Sequence, residues 1–469
     1  MRAFAAPTGV FVSEKPNLAF GVLSDIHIGY LQEKTGSIPL KTFKRALEQF
    51  KADGVDAVAV CGDLANSGLV RELESVARTW FEVFPEGCGV EKLFVTGNHD
   101  WEGWLYDGKT FVENFSDEER ERIKLCNDYR GHWELCFREP YAPVWMKRVK
   151  GYAFVGAHWL GCGADKKGRT CHGKNENFND GVAAFYAAHE AELKGVKPFF
   201  HIQHPHPKDT CFGADAWGYD TGETTKALSA FPNAVAFSGH SHAPLTDERS
   251  VWQGAFTSVN GGSLRYASRP KPESERGDEN GVTPAGKAVD DGKLQQHVHT
   301  GDGNPALLVR VYDDRIVLTR RAVDSGLLLG DNWVIPLSAD VRPCDYAKRR
   351  AAAVAPAFPA GASLSFSRGK GMTRAKEVKD DVITVSIPAA NADPRARAVR
   401  YVVKVTDGAG KELACKSVIA DGYNLPEEKS RTPCLFAADE LPPAVCCRFS
   451  VVPKSCWGLE GVPLSGVFF

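Results

Sequence analysis

Three short apolar runs near the N-terminus, Leu18 to Ser24, Val55 to Cys61 and Lys92 to Val95, are separated by two segments of helical spacing. In the first segment Leu40, Phe43, Ala46, Leu47 and Phe50 share a face. In the second, Leu69, Leu73, Val76, Ala77, Trp80, Phe81 and Phe84 do the same. Runs that are apolar throughout suit strands buried on both faces. Strand, helix, strand, helix, strand requires parallel pairing with right-handed crossovers. In such a sheet, side chains just past the carboxyl ends of the strands converge on one crevice. The runs stop at Asp25-Ile26-His27, at Gly62-Asp63 and at Gly97-Asn98-His99-Asp100. Polar groups at the end of a buried strand cost free energy unless something binds them. Asn98 offers a carbonyl oxygen to a cation, and His99 can ligate metal or carry a proton. Asp25, His27, Asp63, Asn98 and His99 are therefore expected to meet in space.

The same punctuation recurs further along. Tyr152 to Ala157 reads as a strand and Val182 to Leu193 as a helix. Lys197 to Gln203 is a strand ending in His204-Pro205-His206-Pro207, and Ala234 to Ser238 one ending in Gly239-His240-Ser241-His242. Trp101 to about Lys150 keeps no steady period and is expected to be an insertion over the crevice mouth, with Trp101, Trp104, Tyr106, Trp133 and Trp145 packing within it. A stacking wall for a substrate is the second reading of those aromatics. Arg269 to Gly303, rich in Gly, Pro and charge, is expected to be a long surface loop. Ala306 to Val311 and Arg315 to Thr319 form a hairpin, and Trp333 to Leu337 closes this part. Ala351 to Ala362 is Ala/Pro-rich and suits a semi-rigid spacer, with Lys348-Arg349-Arg350 before it as a solvated face. Beyond it Val382 to Ile387, Val399 to Val405, Ser417 to Ala420 and Cys447 to Val452 are short strands between turns, the pattern of a small sandwich.

Composition narrows the function classes. At 469 residues the chain suits two or three domains, and 43% hydrophobic with 25% charged residues affords a sizeable core. A formal net charge of −2 argues against a general polyanion binder, so no nucleic-acid polymer is expected as a partner. No apolar run approaches the roughly 18 residues of a membrane helix. Met1 to Val12 lacks a sustained apolar region and does not read as a signal peptide. The chain reads as a soluble protein of bacterial type, periplasmic or secreted if a leader was removed and otherwise cytoplasmic. The 13 cysteines include no Cys-x-x-Cys pair, which leaves a zinc ribbon or thioredoxin-like site without support. Cys61 reads as a small buried hydrophobe, while Cys126/Cys136 and Cys162/Cys171 suit local bridges in an oxidising compartment.

Taken in order, Asp25-x-His27, Gly62-Asp63, Gly97-Asn98-His99-Asp100, His204 and Gly239-His240-x-His242 resemble the calcineurin-like metallophosphoesterases, the superfamily of purple acid phosphatases and cyclic-nucleotide phosphodiesterases. The resemblance covers roughly residues 17–340. It implies a four-layer α-β-β-α sandwich. It also implies two metal ions: Asp25, His27 and His242 on the first, Asn98, His204 and His240 on the second, and Asp63 bridging both. Ions roughly 3.5–4 Å apart repel and need a shared anion, which a carboxylate can supply. Imidazole, carboxylate and amide together suit manganese, iron or zinc better than calcium or magnesium. The implied reaction is hydrolysis of a phosphate ester by a hydroxide bridging the metals, with His99 as the proton donor to the leaving oxygen and Asp100 orienting it. His206 is expected to stand behind the ligands or face substrate. His132, His158, His172, His189, His297 and His299 lack strand-end company and read as structural or solvated.

Tyr401-Val-Val-Lys-Val405, Arg448-Phe-Ser-Val-Val452, Trp457-Gly458 and Pro463-Leu464-Ser465 are similar to fibronectin-type-III-like sandwiches. The expected organisation is a metallophosphoesterase domain over 1–340, a linker over 341–355 and a β-sandwich over 356–469 that docks on the first domain or on a partner. The expected substrate is a small phosphate ester, with a lean to diesters because aromatics after Asp100 can stack a nucleoside. The alternatives are a phosphomonoesterase or nucleotidase, and a non-catalytic binding protein that keeps its metals.

Overall fold

The structure, a computed structural model, describes residues 15–29, 38–101, 129–160, 178–195, 197–213, 218–265, 304–338, 341–372, 378–393, 396–423, 431–441 and 446–468. Expectations for Met1 to Val12, Trp104, Tyr106, Cys126, Cys162, Cys171, His172, the 269–303 loop, His297 and His299 lie outside these residues.

The chain opens with β1 (Leu18–Leu23), α1 (Ile38–Ala52), β2 (Ala57–Cys61), α2 (Val70–Val83) and β3 (Glu91–Val95). Then come α3 (Tyr129–Phe137), β4 (Val144–Val149), β5 (Tyr152–Ala157), α4 (Gly181–Ala188), α5 (Glu190–Leu193), β6 (Phe199–Ile202), α6 (Glu223–Leu228), β7 (Ala234–Ser238), β8 (Val251–Gln253) and β9 (Thr257–Asn260). Strands β10 (Pro305–Val311), β11 (Arg315–Ala322) and β12 (Trp333–Pro336) complete two six-stranded sheets.

The first sheet runs β12-β11-β10-β1-β2-β3, with β1, β2 and β3 parallel. The second runs β4-β5-β6-β7-β9-β8, parallel from β5 to β9 with antiparallel edges. Their inner faces meet in an aromatic core, where the Phe20 ring lies 5.1 Å from Phe154, 4.8 Å from Phe200 and 5.7 Å from Phe237. Phe43, Leu47 and Phe50 of α1 and Leu73, Val76 and Trp80 of α2 cover the outside of the first sheet. Val182 and Tyr186 of α4 and Leu228 of α6 cover the outside of the second. The arrangement is a four-layer α-β-β-α sandwich. It places the carboxyl ends of β1, β2, β3, β6 and β7 along one edge, because parallel strands all stop on the same side.

Two local expectations change. Residues 129–149 are no loose insertion: Trp133 and Phe137, four apart on α3, are buried against the first sheet's outer core, and β4 pairs antiparallel with β5. The short helix and a half-exposed edge strand leave too few apolar repeats to show a period. The helix expected over 182–193 is broken at His189 (φ −107°, ψ 14°) into α4 and α5.

The expected linker is also anchored. Asp345 caps α7 (Tyr346–Ala351) by accepting from the Lys348 amide at 2.8 Å, and Arg349 reaches Glu248 at 2.6 Å. Arg349 is thus no solvated charge, and the irregular stretch begins only at 352. Beyond it β13 (Ser365–Met372), β14 (Val378–Pro388) and β17 (Arg431–Ala437) form one sheet, ordered β13-β14-β17. The second sheet, β16-β15-β18-β19, comprises β15 (Arg400–Thr406), β16 (Glu412–Ile419), β18 (Cys447–Lys454) and β19 (Leu464–Phe468). Tyr401, Val403 and Val405 alternate into the shared core with Val385, Ile387, Phe436, Phe449 and Val451. All ten described cysteines are free thiols.

Candidate metal centre

Each of the five strands ends in a loop that turns a polar side chain inward, and the loops are stitched by backbone bonds. Asp25 N–H donates to the Gly62 carbonyl at 3.1 Å, His27 N–H to Asp63 at 3.0 Å, and Gly239 N–H to His204 at 2.8 Å. The turns are sharp enough to put Asp25 (φ 53°), His27 (49°), Asp63 (52°), His240 (66°) and His242 (53°) in the left-handed region. A non-glycine residue there costs on the order of 1–3 kcal/mol, and such residues gather at functional sites. Close approach also explains two glycines. A Cβ on Gly97 would lie 2.2 Å from Asp63 Oδ1, and one on Gly239 would lie 1.7 Å from Ser24 Oγ and 2.5 Å from Asp25 Oδ2.

Two clusters result. Asp25, His27, Asp63 and His242 converge in one, and Asp63, His204 and His240 in the other, each with ligand-capable atoms within 4.8 Å of one another. Asp63 belongs to both: its Oδ2 stands 3.5 Å from His27 Nε2 and 3.2 Å from His204 Nε2. Asp25 Oδ1 lies 3.0 Å from His242 Nε2, and the Nε2 atoms of His27 and His242 are 3.1 Å apart. Asn98 joins the second cluster, with Oδ1 3.0 Å from His204 Nε2, which is also 3.1 Å from His240 Nδ1. All seven side chains are buried.

The tautomer of His204 follows from its neighbour. Its Nδ1 lies 2.7 Å from the Cys61 carbonyl, which only accepts, so Nδ1 carries a hydrogen and Nε2 is the nitrogen that faces the cluster. His99 is held likewise: Nδ1 donates to the Asn66 carbonyl at 2.7 Å, making Nε2 the nitrogen that takes up or releases a proton. Its ring meets His27 edge-on at 4.6 Å. Asp63 Oδ1 accepts from the His99 amide at 2.9 Å.

Asp25 Oδ1 and Asp63 Oδ2 are buried with no donor hydrogen aligned on them. Burial raises both carboxyls, yet the surrounding imidazoles outweigh it and hold both well below the ordinary carboxylate range. Burial lowers His204, but Asp63 and Asp25 outweigh it and lift the ring to about 9. His27 is pushed down to about 4, first by burial and then by His99. Buried carboxylates packed among imidazoles form a donor set of the kind that holds a cation.

Asp100 takes a different place from the one expected. It does not orient His99; it accepts from Ala65 N–H at 2.7 Å, Gly97 N–H at 2.7 Å and Leu64 N–H at 3.2 Å. A buried carboxylate beside three orphan amides satisfies them first, and so fastens the second loop to the third. Burial and then Asp63 push its pKa up to about 7, against the pull of those amides. His206 lies between Ser238 Oγ and Ser241 Oγ, 2.7 Å from each, and ties the His204 loop to the His240 loop from behind. His158 is buried against Trp133 and takes the Thr96 amide at 3.1 Å, a structural role.

Three contributors escaped sequence reasoning. Trp159, after β5, sets its ring 5.8 Å from His240 and 6.2 Å from His204. Asn260, at the end of β9, holds the Ala243 carbonyl at 2.9 Å. Both follow the strand-end rule that found the ligands, and Asn260-Gly261-Gly262 was a visible instance. The Asn66 carbonyl that positions His99 left no side-chain signal.

Residues 18–244, just under half of the chain, match the family model described as Calcineurin-like phosphoesterase. The Caenorhabditis elegans protein named "Putative metallophosphoesterase F40B5.2" is 32% identical over 115 residues, 24% of this chain and 22% of its own length. The chain thus matches about a fifth of that relative. A dimetal phosphatase from Danio rerio is similar at 13% identity and TM-score 0.38, over 69% of this chain and 100% of its own. A purple acid phosphatase from yellow lupin (Lupinus luteus) seeds is similar at 11% identity and TM-score 0.38, over 68% of this chain and 55% of its own.

Proposed function

We propose that this chain hydrolyses phosphate esters at a dinuclear metal centre held by Asp25, His27 and His242 on one ion, Asn98, His204 and His240 on the other, and Asp63 between them. The observation that carries this reading is the single Asp63 carboxylate shared by two convergent clusters. Four imidazoles, two carboxylates and an amide suit manganese, iron or zinc. Two such ions, when bound, polarise phosphoryl oxygens and make water acidic enough to attack at neutral pH. The chain's own residues do the rest. His99 gives a proton from Nε2 to the leaving oxygen, while Asn66 fixes the other nitrogen. Asp100 keeps the Asp63 and Asn98 loops in register.

The lean to diesters rests on aromatics after Asp100. The described ones pack inward: Trp133 is buried, Trp145 lies against the core between the sheets, and Trp101 donates to Thr96 Oγ1 at 3.2 Å. The proposed substrate class is phosphate esters, diester and monoester alike. The C-terminal sandwich, three strands facing four, is read as fibronectin-type-III-like on its strand motifs. Hydrolysis of bis-p-nitrophenyl phosphate and p-nitrophenyl phosphate with manganese, repeated after chelation, tests the proposal. Turnover of the diester, of the monoester or of both, lost with the metal, supports it. No turnover of either by the metal-loaded chain points to the binding-protein alternative.

A further inference from the structure

The loop after β7 carries two of the seven converging side chains, His240 and His242, both at positive φ. Backbone in that region is held by its surroundings rather than by its own preference. The chain leaving His242 is pinned at every step. Asn260 Nδ2 donates to the Ala243 carbonyl at 2.9 Å, Arg320 Nη1 to the Leu245 carbonyl at 2.8 Å, and the Asp247 amide to the Pro244 carbonyl at 3.2 Å. The next pin comes from the other end of the molecule. Tyr423, in the 3-10 turn Asp421–Tyr423, is buried at 3% exposure and donates its hydroxyl to Asp247 Oδ2 at 2.5 Å. Thr246 Oγ1 donates to the Tyr423 carbonyl. Arg249, also buried, closes on the same carboxylate through Nε at 3.0 Å and Nη2 at 2.6 Å.

We infer that Tyr423 is a positioning residue of the metal centre: the C-terminal sandwich braces the 243–250 loop and, through it, the two histidines that precede it. The inference rests on reading His240 and His242 as metal ligands. Tyr423 touches neither histidine, so it is not catalytic. A contact that only glued two domains together could lie on any surface. This one lies on the segment leaving the ligand pair, where a lost bond lets the histidines relax out of their turn. Groups hydrogen-bonded directly to metal ligands typically govern 10–100-fold in metal affinity, and a brace on the loop that carries two ligands is expected at the low end of that range.

The test uses the full chain and three forms: wild type, Tyr423→Phe and Trp457→Ala. Trp457 meets Tyr346 edge-on at 5.0 Å and packs against the Val399, Tyr423 and Cys456 cluster, so its truncation loosens the same interface while leaving both hydrogen bonds between Tyr423 and the loop in place. Calorimetric titration with manganese and the melting temperature are recorded for each. Tyr423→Phe keeps the ring and the Thr246 bond, and is expected to weaken manganese binding roughly tenfold. Its turnover should recover at saturating manganese with the KM for substrate unchanged. Trp457→Ala is expected to lower the melting temperature and keep wild-type affinity. Should Tyr423→Phe not fold, Thr246→Val removes the other bond of the contact and is expected to shift affinity in the same direction. Wild-type affinity in the folded variant, with a lower melting temperature, overturns the inference and leaves the metal reading standing. A wild-type chain that binds none of manganese, iron or zinc overturns the metal reading, and this inference with it.

Discussion

Asp63 and Tyr401 are both polar side chains buried in the protein, and their surroundings differ in kind. The Tyr401 hydroxyl accepts the Ala390 amide at 2.9 Å from a regular strand of the sandwich. Asp63 sits at φ 52° with one oxygen aimed at imidazole nitrogens and no donor aligned on it. The contrast extends to the two regions. From residue 341 onward, positive φ among the described residues occurs only at glycines, Gly361, Gly410 and Gly458. Five of the seven converging side chains in the first region stand at positive φ. The sandwich follows local rules, with alternating burial, paired strands and a closed apolar core. The strand-end loops break those rules together and at one place. Broken rules that cluster mark where folding free energy has been exchanged for chemistry.

The largest effect should come from the residue the two clusters share. Asp63→Ala is expected to bring phosphate-ester hydrolysis to background and metal content below one ion per chain, read by elemental analysis of a variant whose circular dichroism is unchanged. Full metal content in that variant would break the contrast, since Asp63 would then be an ordinary buried acid. Next in size, His99→Ala should keep both ions and lose roughly 10²–10⁴ in turnover, the range for general acid–base groups. An unchanged rate would remove His99 from that role.

On the other side of the comparison, Phe436→Ala should cost about 3–5 kcal/mol in denaturant unfolding, as for other buried aromatics. Manganese affinity of the folded variant should stay within about twofold, because Phe436 belongs to the sandwich core rather than to the 243–250 loop. A loss as large as that expected for Tyr423→Phe would show that general loosening of the sandwich, rather than one contact, reaches the histidines. Smallest of all, Asp381→Asn breaks an exposed pair with Arg368 and should leave the melting temperature unchanged within error.

Much of the fold was legible because its signals are local. The runs ending at Leu23, Cys61 and Val95 are apolar on both faces, and only a strand covered on two sides uses such a run. The helices after β1 and β2 announced themselves by their apolar stripes, which now cover the first sheet. Where the signal failed, the element was short or at an edge. Strands β8 and β9 have three and four residues, and β13 is largely exposed. Strand β4 borrows its regularity from pairing with β5, which no local pattern records. At the site, residue type and strand-end position pointed to the side chains that meet. Asp100 could not be assigned in that way. Next to His99 in sequence, its carboxylate turns to the amides of Leu64, Ala65 and Gly97, a choice made by which donors burial leaves unpaired.

The order of apolar runs and the polar residue closing each one determined, from the chain alone, a parallel sheet with a crowded edge and the residues standing there. Which atom meets which was decided only on folding, because the deciding contacts join residues 215 positions apart for His27 and His242 and 176 for Asp247 and Tyr423. The physical reason is that a periodic pattern encodes the face a side chain takes, whereas a hydrogen bond or ligand cluster depends on position to within a few tenths of an ångström. That precision exists only once two sheets and the distant sandwich have closed on the same loops.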